Sequence, residues 1–214
     1  MTEDDQKWIQ KLLNENVLAG PVLEMGTGYG GSTCREMVIA ANLQYFGTDI
    51  EKTPTVDFVA NFDRAEDMKI FSSTGLFNTI LILNVLEHTF DPIRILDNAI
   101  SLLKAGGNCV VITPTVWPLH NFPIDTWRPL PNFYEEYARR RQLNLNRAHF
   151  DYVGRGAIDK FRDAEGNYHY PPPSDHPLFS FWSRGIHKVF RTFGRAMFHP
   201  SHMAIGAIFQ KAPL

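Results

Sequence analysis

The stretch VLEMGTGYGG, residues 22–31, decides the fold, because a short apolar run passes into a cluster of glycines and then into a helical pattern. Residues 22–25 have the composition of a buried strand, and residues 31–42 have the spacing of a helix. Glycines between them let the chain turn sharply and bring its backbone against a ligand, while the helix presents its N-terminal amides. The loose dinucleotide pattern G-x-G-x-x-G is met by Gly26, Gly28 and Gly31. This unit predicts a nucleotide-like ligand on an α/β fold.

Helices and strands alternate along the rest of the chain. Apolar residues at helical spacing predict helices at 4–18, 92–104 and 131–142. Short apolar runs predict strands at 44–48, 56–60, 79–83, 108–113 and 203–210, and a polar strand is expected near 145–153. Asp91 and Pro92 are typical of a helix start, and the pair Gly106–Gly107 is typical of a helix end. The alternation predicts βαβ units, and hence a parallel sheet with helices on both faces.

The length of 214 residues, with 44% hydrophobic and 21% charged residues, predicts one globular domain over residues 1–214. An N-terminal helix is expected within residues 1–20. Residues 154–200 are irregular and rich in glycine, proline and aromatic residues, which predicts an insertion that covers a site before the last strand. We expect it to contain a helix at about 178–194, packed as a lid; a membrane-surface helix or a homodimer helix is the alternative. The substrate pocket is expected to use Tyr152, Tyr168, Tyr170, Phe179 and Trp182.

Composition and charge exclude several classes of protein. The chain has 21 Lys and Arg against 23 Asp and Glu, a formal net charge of -2, so it lacks the basic excess that nucleic-acid binding needs. The acidic first residues and the lack of a long apolar run predict no stable membrane insertion and a cytoplasmic location. Cys34 and Cys109 are far apart, and no Cys or His residues have the spacing of metal ligands. We therefore expect neither a disulfide framework nor a metal site.

Two acidic residues narrow the choice of ligand for the glycine turn. Glu24 lies two residues before Gly26, where a carboxylate would repel a phosphate and favour a cationic or neutral group. Asp49 ends the second strand, 19 residues after Gly30, where an acid can accept both hydroxyls of a ribose. Together they predict a nucleoside without phosphates. A helix N-cap is the alternative role for Asp49.

Four motifs in sequence order resemble those of the class I S-adenosylmethionine-dependent methyltransferases. They are VLEMGTGYG (22–30), FGTDI (46–50), FNTILILNVLEHTFDP (77–92) and LLKAGGNCVVITP (102–114). The resemblance covers roughly residues 20–150 and the last strand. It implies a Rossmann-like α/β fold, with a doubly wound, mostly parallel sheet and an antiparallel closing strand. It also implies S-adenosylmethionine as the cofactor.

The resemblance implies a role for each matching residue. The amino-acid end of the cofactor would be lined by Glu24, Gly26, Thr27, Gly28 and Gly30. Asp49, followed by Ile50, would hold the ribose. Asn61 or Asp63 would face the adenine amine, because the family usually has an acid where Asn61 aligns. From the end of the fourth strand, the cofactor would be lined by Asn84 and Val85.

The loop TPTVWPLHNFPIDTWRPLP, residues 113–131, follows the fifth strand, where open α/β sheets bind ligands. We expect His120 to be the general base, Asp125 to orient it, and Arg128 to hold an anionic or hydroxyl-rich substrate. The pattern H-x-x-P-x-D-x-W-R is similar to that of a subset of bacterial small-molecule methyltransferases. A structural pair of Asp125 and Arg128, with Trp127 in the core, is the alternative.

His88, in the stretch VLEH, is the second candidate base, because it follows the fourth strand close to the expected methyl group. Its alternative role is a histidine packed under the cofactor and bonded to the backbone. We expect methyl transfer to an oxygen or nitrogen of a small molecule, such as a sugar or secondary metabolite, by alignment of the reacting atoms and without a metal. The alternatives are a nicotinamide-dependent oxidoreductase and a noncatalytic subunit with the same fold.

Overall fold

The computed structural model describes residues 2–28, 33–117, 124–153, 161–162, 168–169, 189 and 203–213. The strands in these residues are β1 (Val22–Met25), β2 (Tyr45–Asp49), β3 (Phe58–Val59), β4 (Phe77–Leu83), β5 (Leu103–Val116), β6 (Asn144–Leu145), β7 (Asp151–Val153), β8 (Phe161–Arg162), β9 (Tyr168–His169) and β10 (Met203–Gln210). The α-helices are α1 (Glu3–Asn14), α2 (Arg35–Ala40), α3 (Pro92–Ser101) and α4 (Pro131–Arg141). Short 3-10 helices lie at Ala65–Ser73, Leu86–His88 and Arg147–His149.

Eight of the described strands form one sheet, in the order β3-β2-β1-β4-β5-β10-β6, with β7 also paired to β10. β1 is parallel to β2 and β4, and the pairs β2–β3 and β4–β5 are parallel as well. β10 is antiparallel to β5, β6 and β7. This arrangement confirms the predicted mostly parallel α/β sheet with an antiparallel closing strand. Because the parallel strands end at one edge, the segments that follow β1, β2, β4 and β5 lie close together there.

Helices cover both faces of the sheet, because successive residues of a strand point to opposite sides. Leu23 of β1 belongs to a core that includes Leu96 of α3. Its neighbour Val22 faces the other core, which includes Ile9 of α1 and Val38 of α2. Full burial of each of these aliphatic side chains stabilises the fold by roughly 1.5–3 kcal/mol. The apolar side chains of the strands therefore pack into these two cores, and the polar residues at the strand ends are the ones that can form a site.

The helix predicted at 92–104 ends earlier, at Ser101, and β5 begins at Leu103. The Gly106–Gly107 pair lies within β5 rather than at the helix end. Leu103 pairs with Phe77 of β4 before the register shifts. Pairing with β4 thus determines where the helix ends and the strand begins, whereas the two glycines alone predicted a later helix end.

Three other predictions differ from the structure. The strand expected near 145–153 is divided into β6 and β7 by a 3-10 turn. The helices predicted at 4–18 and 31–42 are longer than α1 and α2. The 3-10 helix Ala65–Ser73 is missing from the predicted elements, because its apolar residues lack helical spacing. Its Phe71 is buried against aromatic rings from other elements, so long-range packing stabilises this segment.

Within the predicted insertion at 154–200, the structure describes β8 and β9, which form a separate antiparallel pair. The helix expected at 178–194 lies outside the described residues except for Val189, which is helical. The division into one domain with a lid therefore stays a prediction. In the described part of the chain, no helix combines the length and the apolar character needed to cross a membrane.

Candidate cofactor and acceptor site

Two positions in the turn after β1 have no room for a side chain and are occupied by glycine. Gly26 has a left-handed backbone with a φ of 77°, and an added Cβ would lie 2.7 Å from Cγ2 of Val85. Its N–H donates to the carbonyl of Thr48 at 2.9 Å. A Cβ on Gly28 would lie 2.8 Å from Cγ of Asp49. The ends of β1, β2 and β4 therefore meet at this turn, and only glycine lets them approach so closely.

Backbone amides hold the Asp49 carboxylate at the end of β2. Its Oδ2 accepts from the N–H of Gly28 at 2.8 Å, and its Oδ1 accepts from Ile50 at 2.7 Å and Glu51 at 3.3 Å. Each carboxylate oxygen can accept more than one hydrogen bond, so both can still accept from the hydroxyls of a ligand. The element that follows is β3, so Asp49 does not cap a helix. The Ile50 side chain is exposed at this edge of the sheet.

Glu24 is buried beneath the glycine turn and connects β1, before the turn, to α2, after it. Its Oε2 accepts from the N–H of Cys34 at 2.8 Å and from the hydroxyl of Tyr45 at 2.6 Å. Cys34 is the N-cap of α2, so the bond ties β1 to the helix that follows the glycines. Burial raises the pKa of Glu24 to about 7, against the opposing effects of these two hydrogen bonds and of Arg35. Glu24 therefore acts as an internal anchor of the turn.

Thr27 also stabilises the turn from inside, because its side chain is completely buried. Its hydroxyl lies 3.4 Å from the carbonyl oxygen of Thr55, and the Thr55 hydroxyl donates to the Thr27 carbonyl at 2.6 Å. These contacts connect the turn to the loop after β2. The backbone of Thr27, rather than its side chain, is left to face a ligand. Gly30 lies outside the described residues.

The two candidates for the adenine contact lie in one turn after β3. The side-chain oxygen of Asn61 accepts from the N–H of Asp63 at 2.9 Å, and the N–H of Asn61 donates to Asp67 at 2.9 Å. The Asp63 carboxylate accepts from the hydroxyl of Thr89 at 3.3 Å. Asn61 is thus used to shape the turn, whereas Asp63 connects it to the segment after β4. Both residues lie at the expected edge of the sheet, so the geometry does not distinguish between them as the adenine contact.

Asn84 directly follows β4 and has a left-handed conformation, with a φ of 54°. Its N–H donates to the carbonyl of Ile112 at 2.8 Å, and its side-chain amide donates to Oδ2 of Asp5 at 2.9 Å. Asp5 is 2% exposed and also accepts from the N–H of Thr2, as part of a capping box at the start of α1. The first turn of α1 therefore contacts the candidate cofactor site. The sequence around Asp5 indicates a helix cap, but nothing in it indicates this contact.

Glu87 and His88 follow β4 on the side of β5. The Glu87 side chain is completely buried, and neither carboxyl oxygen has a hydrogen-bond partner among the described residues. Burial raises the pKa of Glu87 to about 7; Arg128 opposes this effect and Asp125 adds to it. Nδ1 of His88 lies 2.7 Å from the carbonyl oxygen of Ile124, and Nε2 lies 3.6 Å from Oε1 of Glu87. Since a carbonyl only accepts, Nδ1 carries the hydrogen and the neutral ring has its lone pair on Nε2.

The loop at 124–128 packs directly on this segment. The N–H of Thr126 donates to the carbonyl of Glu87 at 2.9 Å. Asp125, whose side chain is 1% exposed, forms a two-pronged ion pair with the guanidinium of Arg128. The Trp127 ring packs edge-on against Phe133 at 4.7 Å. These contacts favour the structural alternative for the loop. His120 lies outside the described residues, so its role stays a prediction.

Two more buried polar groups lie beside Glu87. The hydroxyls of Thr113, in β5, and Tyr134, in α4, lack hydrogen-bond partners within the described residues. Burial raises the pKa of the Tyr134 phenol, and the charge of Glu87 adds to this effect. Because buried polar groups are usually paired, this cluster is the least satisfied part of the described structure. Sequence reasoning did not assign Glu87, Thr113 or Tyr134 to the site, since only the fold brings them together.

The sequence-predicted candidates thus form two groups at the same edge of the sheet. The group on the side of β1 and β2 contains Glu24, Gly26, Gly28 and Asp49. The group on the side of β5 contains His88, Asp125 and Arg128. Asn84 and Val85 lie between the two groups, at the end of β4. No cluster of His, Cys, Asp and Glu suited to a metal ion is found among the described residues.

Comparison with known families identifies this arrangement. A family model described as a methyltransferase domain matches residues 2–194. The chain belongs to this methyltransferase domain family. The match confirms the predicted enzyme class and superfamily, S-adenosylmethionine-dependent methyltransferases of class I, over the oxidoreductase alternative. No curated protein matches the chain.

Solved structures share the fold of this methyltransferase at low sequence identity. A SAM-dependent methyltransferase from Archaeoglobus fulgidus is 14% identical, with 96% of this chain and 94% of that chain covered and a TM-score of 0.54. The [4+2]-cyclase SpnF is 14% identical, with coverage of 96% and 81% and a TM-score of 0.50. Phosphoethanolamine N-methyltransferase 2 from Haemonchus contortus is 13% identical, with coverage of 95% and 52% and a TM-score of 0.50. At these identities the comparison establishes the fold alone.

Proposed function

We propose that this methyltransferase transfers the methyl group of S-adenosylmethionine to an oxygen or nitrogen of a small molecule. The observation that carries the proposal is the Asp49 carboxylate, which backbone amides hold against Gly28 in a chain of this family. A nucleoside fits this position, because the carboxylate can accept from both ribose hydroxyls. A phosphate fits poorly, because it would meet the charge of Asp49 and that of Glu24 whenever Glu24 is ionised.

The glycine turn also brings the proposed cofactor contacts close together. A side chain at Gly26 or Gly28 would fill the space in which the turn approaches its neighbours. On this proposal Asp49 binds the ribose, Asn61 or Asp63 binds the adenine, and Asn84 with Val85 lines the side towards β4. When bound, the cofactor supplies an electrophilic methyl group on a positively charged sulfur. The task of the protein is then to align the acceptor with that methyl group, and such alignment can supply ~7–11 kcal/mol.

The described residues favour His88 as the base for an acceptor that must lose a proton. Its Nδ1–H is fixed on the carbonyl of Ile124, so the neutral ring offers Nε2 as a proton acceptor. The Asp125–Arg128 pair braces the loop that carries Ile124. His120 remains the second candidate on the evidence of the sequence. The formal net charge of -2 supports a small-molecule acceptor over a nucleic acid.

The test is methyl transfer from labelled cofactor to a metabolite extract, followed by identification of the labelled product. With that acceptor, His88→Ala should lower the rate by ~10²–10⁴, whereas cofactor affinity should change little. His149→Ala is the matched control, because His149 pairs with Glu15 at a distance of 2.6 Å outside the site. If His120→Ala abolishes transfer while His88→Ala keeps the wild-type rate, His88 is not the base.

Two results would overturn the proposal itself. Label recovered only in protein or nucleic acid, and in no small molecule, would contradict the small-molecule acceptor. A chain that transfers no methyl group alone, and copurifies with an active relative, would be a noncatalytic subunit. Both are measured with the labelled cofactor and the purified chain.

A further inference from the structure

The Glu87 carboxyl group is buried, and the nearby Arg128 offsets its charge only in part. The side chain is fully buried, and both oxygens lack hydrogen-bond partners within the described residues. A carboxylate in such a position is strongly disfavoured unless it gains a proton or faces a cation. A buried glutamate kept at the edge of the active site therefore needs a group with which it can exchange a proton or pair.

The groups that face Glu87 leave one partner for that exchange. Arg128 lies on the loop after β5, but the buried carboxylate of Asp125 already forms a two-pronged ion pair with it. Tyr134, from α4, stays a neutral phenol because it is buried. Among the described residues His88 is the remaining titratable group, with Nε2 at 3.6 Å from Oε1 of Glu87. It is also partly exposed, with 18% of its side chain accessible, so it can exchange protons with an acceptor.

The orientation of His88 directs the proton to the correct nitrogen. Nδ1 donates to the carbonyl of Ile124, which fixes the ring, and the lone pair of the neutral ring is on Nε2, at 3.6 Å from Oε1 of Glu87. A proton added to His88 therefore appears on Nε2, next to the carboxylate. An opposite charge at such a distance favours the charged form of the ring.

We infer that Glu87 is a positioning residue that forms a proton-sharing pair with His88 and carries the counter-charge when His88 deprotonates the acceptor. This inference rests on the proposed function, because the acceptor supplies the proton. The acceptor O–H or N–H bond breaks and an N–H bond forms at Nε2. The electron pair left on the acceptor forms the new bond to carbon, and the electrons of the broken carbon–sulfur bond stay on sulfur. The positive charge lost at sulfur reappears on the imidazolium, where Glu87 compensates it.

The test is a histidine titration by NMR in the full chain, with neither cofactor nor acceptor added. In Glu87→Gln the titration midpoint of His88 should move to lower pH by at least about one unit, because the anion that favours the imidazolium is gone. The His88 signal is assigned by its loss in His88→Gln. Glu15→Gln is the matched control: Glu15 bonds His149 at 2.6 Å outside the site, and its removal should leave the His88 midpoint unchanged.

The coupling can also be measured from the other partner, which keeps the test decisive if Glu87→Gln does not fold. Interaction between two titrating groups is reciprocal, so His88→Gln should raise the midpoint of the labelled Glu87 carboxyl by a similar amount. An unchanged His88 midpoint in folded Glu87→Gln, or an unchanged Glu87 midpoint in His88→Gln, would overturn the pair.

Activity separates this inference from the function on which it rests. In Glu87→Gln the acidic limb of the pH profile of kcat/KM should move to lower pH with the His88 midpoint, and the plateau rate should fall. A purely structural role for Glu87 would lower the rate without moving the limb. Coupled titration in a chain that transfers no methyl group would support the pair and contradict the proposed function. Methyl transfer by a chain in which Glu87 and His88 titrate independently would support the proposed function and contradict the pair.

Discussion

The carboxyl edge of the sheet contains two buried glutamates in very different surroundings. Glu24, on the side of the cofactor turn, accepts hydrogen bonds from the Cys34 amide and the Tyr45 hydroxyl. Glu87, on the side of the acceptor, has no hydrogen-bond partner among the described residues. Burial raises the pKa of each carboxyl to about 7. Burial thus disfavours the charged form of both carboxyl groups, but among the described residues only Glu24 has hydrogen bonds that stabilise it.

This difference indicates how the two halves of the site work. In the cofactor half, backbone amides and hydroxyls already bond the acidic groups, so the chain alone holds Asp49 and the turn in place. In the acceptor half, Glu87, Thr113 and Tyr134 keep unpaired polar atoms within the described structure. A preformed half suits a ligand that is the same in every turnover. The unpaired half suits a step in which a proton arrives and leaves.

The largest expected effect concerns stability at Glu87. Its pKa in the folded chain, about 7, is above the ordinary value of 4.5, so the folded state binds the proton more tightly. This contribution is complete below about pH 4.5 and is lost as the pH rises through 7. Glu87→Gln should therefore raise the free energy of unfolding at pH 8 by on the order of 3 kcal/mol, with little change at pH 4.5, as measured by denaturant unfolding.

Glu24→Gln is the comparison that sharpens this prediction. It removes an ionisation cost of similar size, because the pKa of about 7 already includes the hydrogen bonds from Cys34 and Tyr45. The amide also replaces the carboxyl group that holds those two partners, and each hydrogen bond weakened in this way costs ~0.5–1.5 kcal/mol. The gain at pH 8 should therefore be smaller than that of Glu87→Gln by at least about 1 kcal/mol. Equal gains in the two variants would mean that the two halves do not differ in the way described.

The second prediction tests the preformed half through Gly28. An alanine there would place its Cβ 2.8 Å from Cγ of Asp49, so the carboxylate must move away from the turn. Such overpacking costs about 1–3 kcal/mol, and we expect cofactor affinity in Gly28→Ala to fall by roughly 5- to 150-fold in calorimetry. Gly75→Ala is the control, since it strains a positive φ of 75° with no atom within 4 Å and should leave affinity unchanged. Unchanged affinity in Gly28→Ala would mean that the turn tolerates displacement of Asp49.

The smallest effect is expected at Asp5, which connects α1 to the site. Asp5→Ala removes the bond to Asn84 together with the helix cap, whereas Thr2→Ala weakens the cap alone. If the Asn84 contact supports the cofactor site, Asp5→Ala should lower cofactor affinity by about two- to tenfold, equivalent to ~0.5–1.5 kcal/mol, and Thr2→Ala should not. The same loss in both variants would assign the effect to helix stability.

The cofactor half could be predicted from the sequence much better than the acceptor half. Glycines, a strand-end acid and apolar runs are local signals, so they placed Gly26, Gly28 and Asp49 on a fold that the structure confirms. The contact between Asp5 and Asn84 joins residues 79 positions apart, and no local pattern indicates it. Glu87 follows an apolar strand like many surface residues, and only the packing of the loop after β5 reveals that it is buried. The Gly106–Gly107 pair failed as a helix end for a similar reason, because Leu103 and Asn108 on either side of it pair with β4.

The most direct test of this account is a calorimetric titration of S-adenosylhomocysteine into the wild-type chain, Asp49→Ala and Glu87→Gln. Asp49→Ala should lose at least about tenfold in affinity, because two charge-assisted bonds to a ribose are worth ~1.5–3 kcal/mol each. Glu87→Gln should bind within about twofold of the wild type, because on the proposed function Glu87 lies in the half that handles the acceptor proton. Unchanged affinity in folded Asp49→Ala, or an equal loss in both variants, would contradict the division of the site into a preformed cofactor half and an acceptor half.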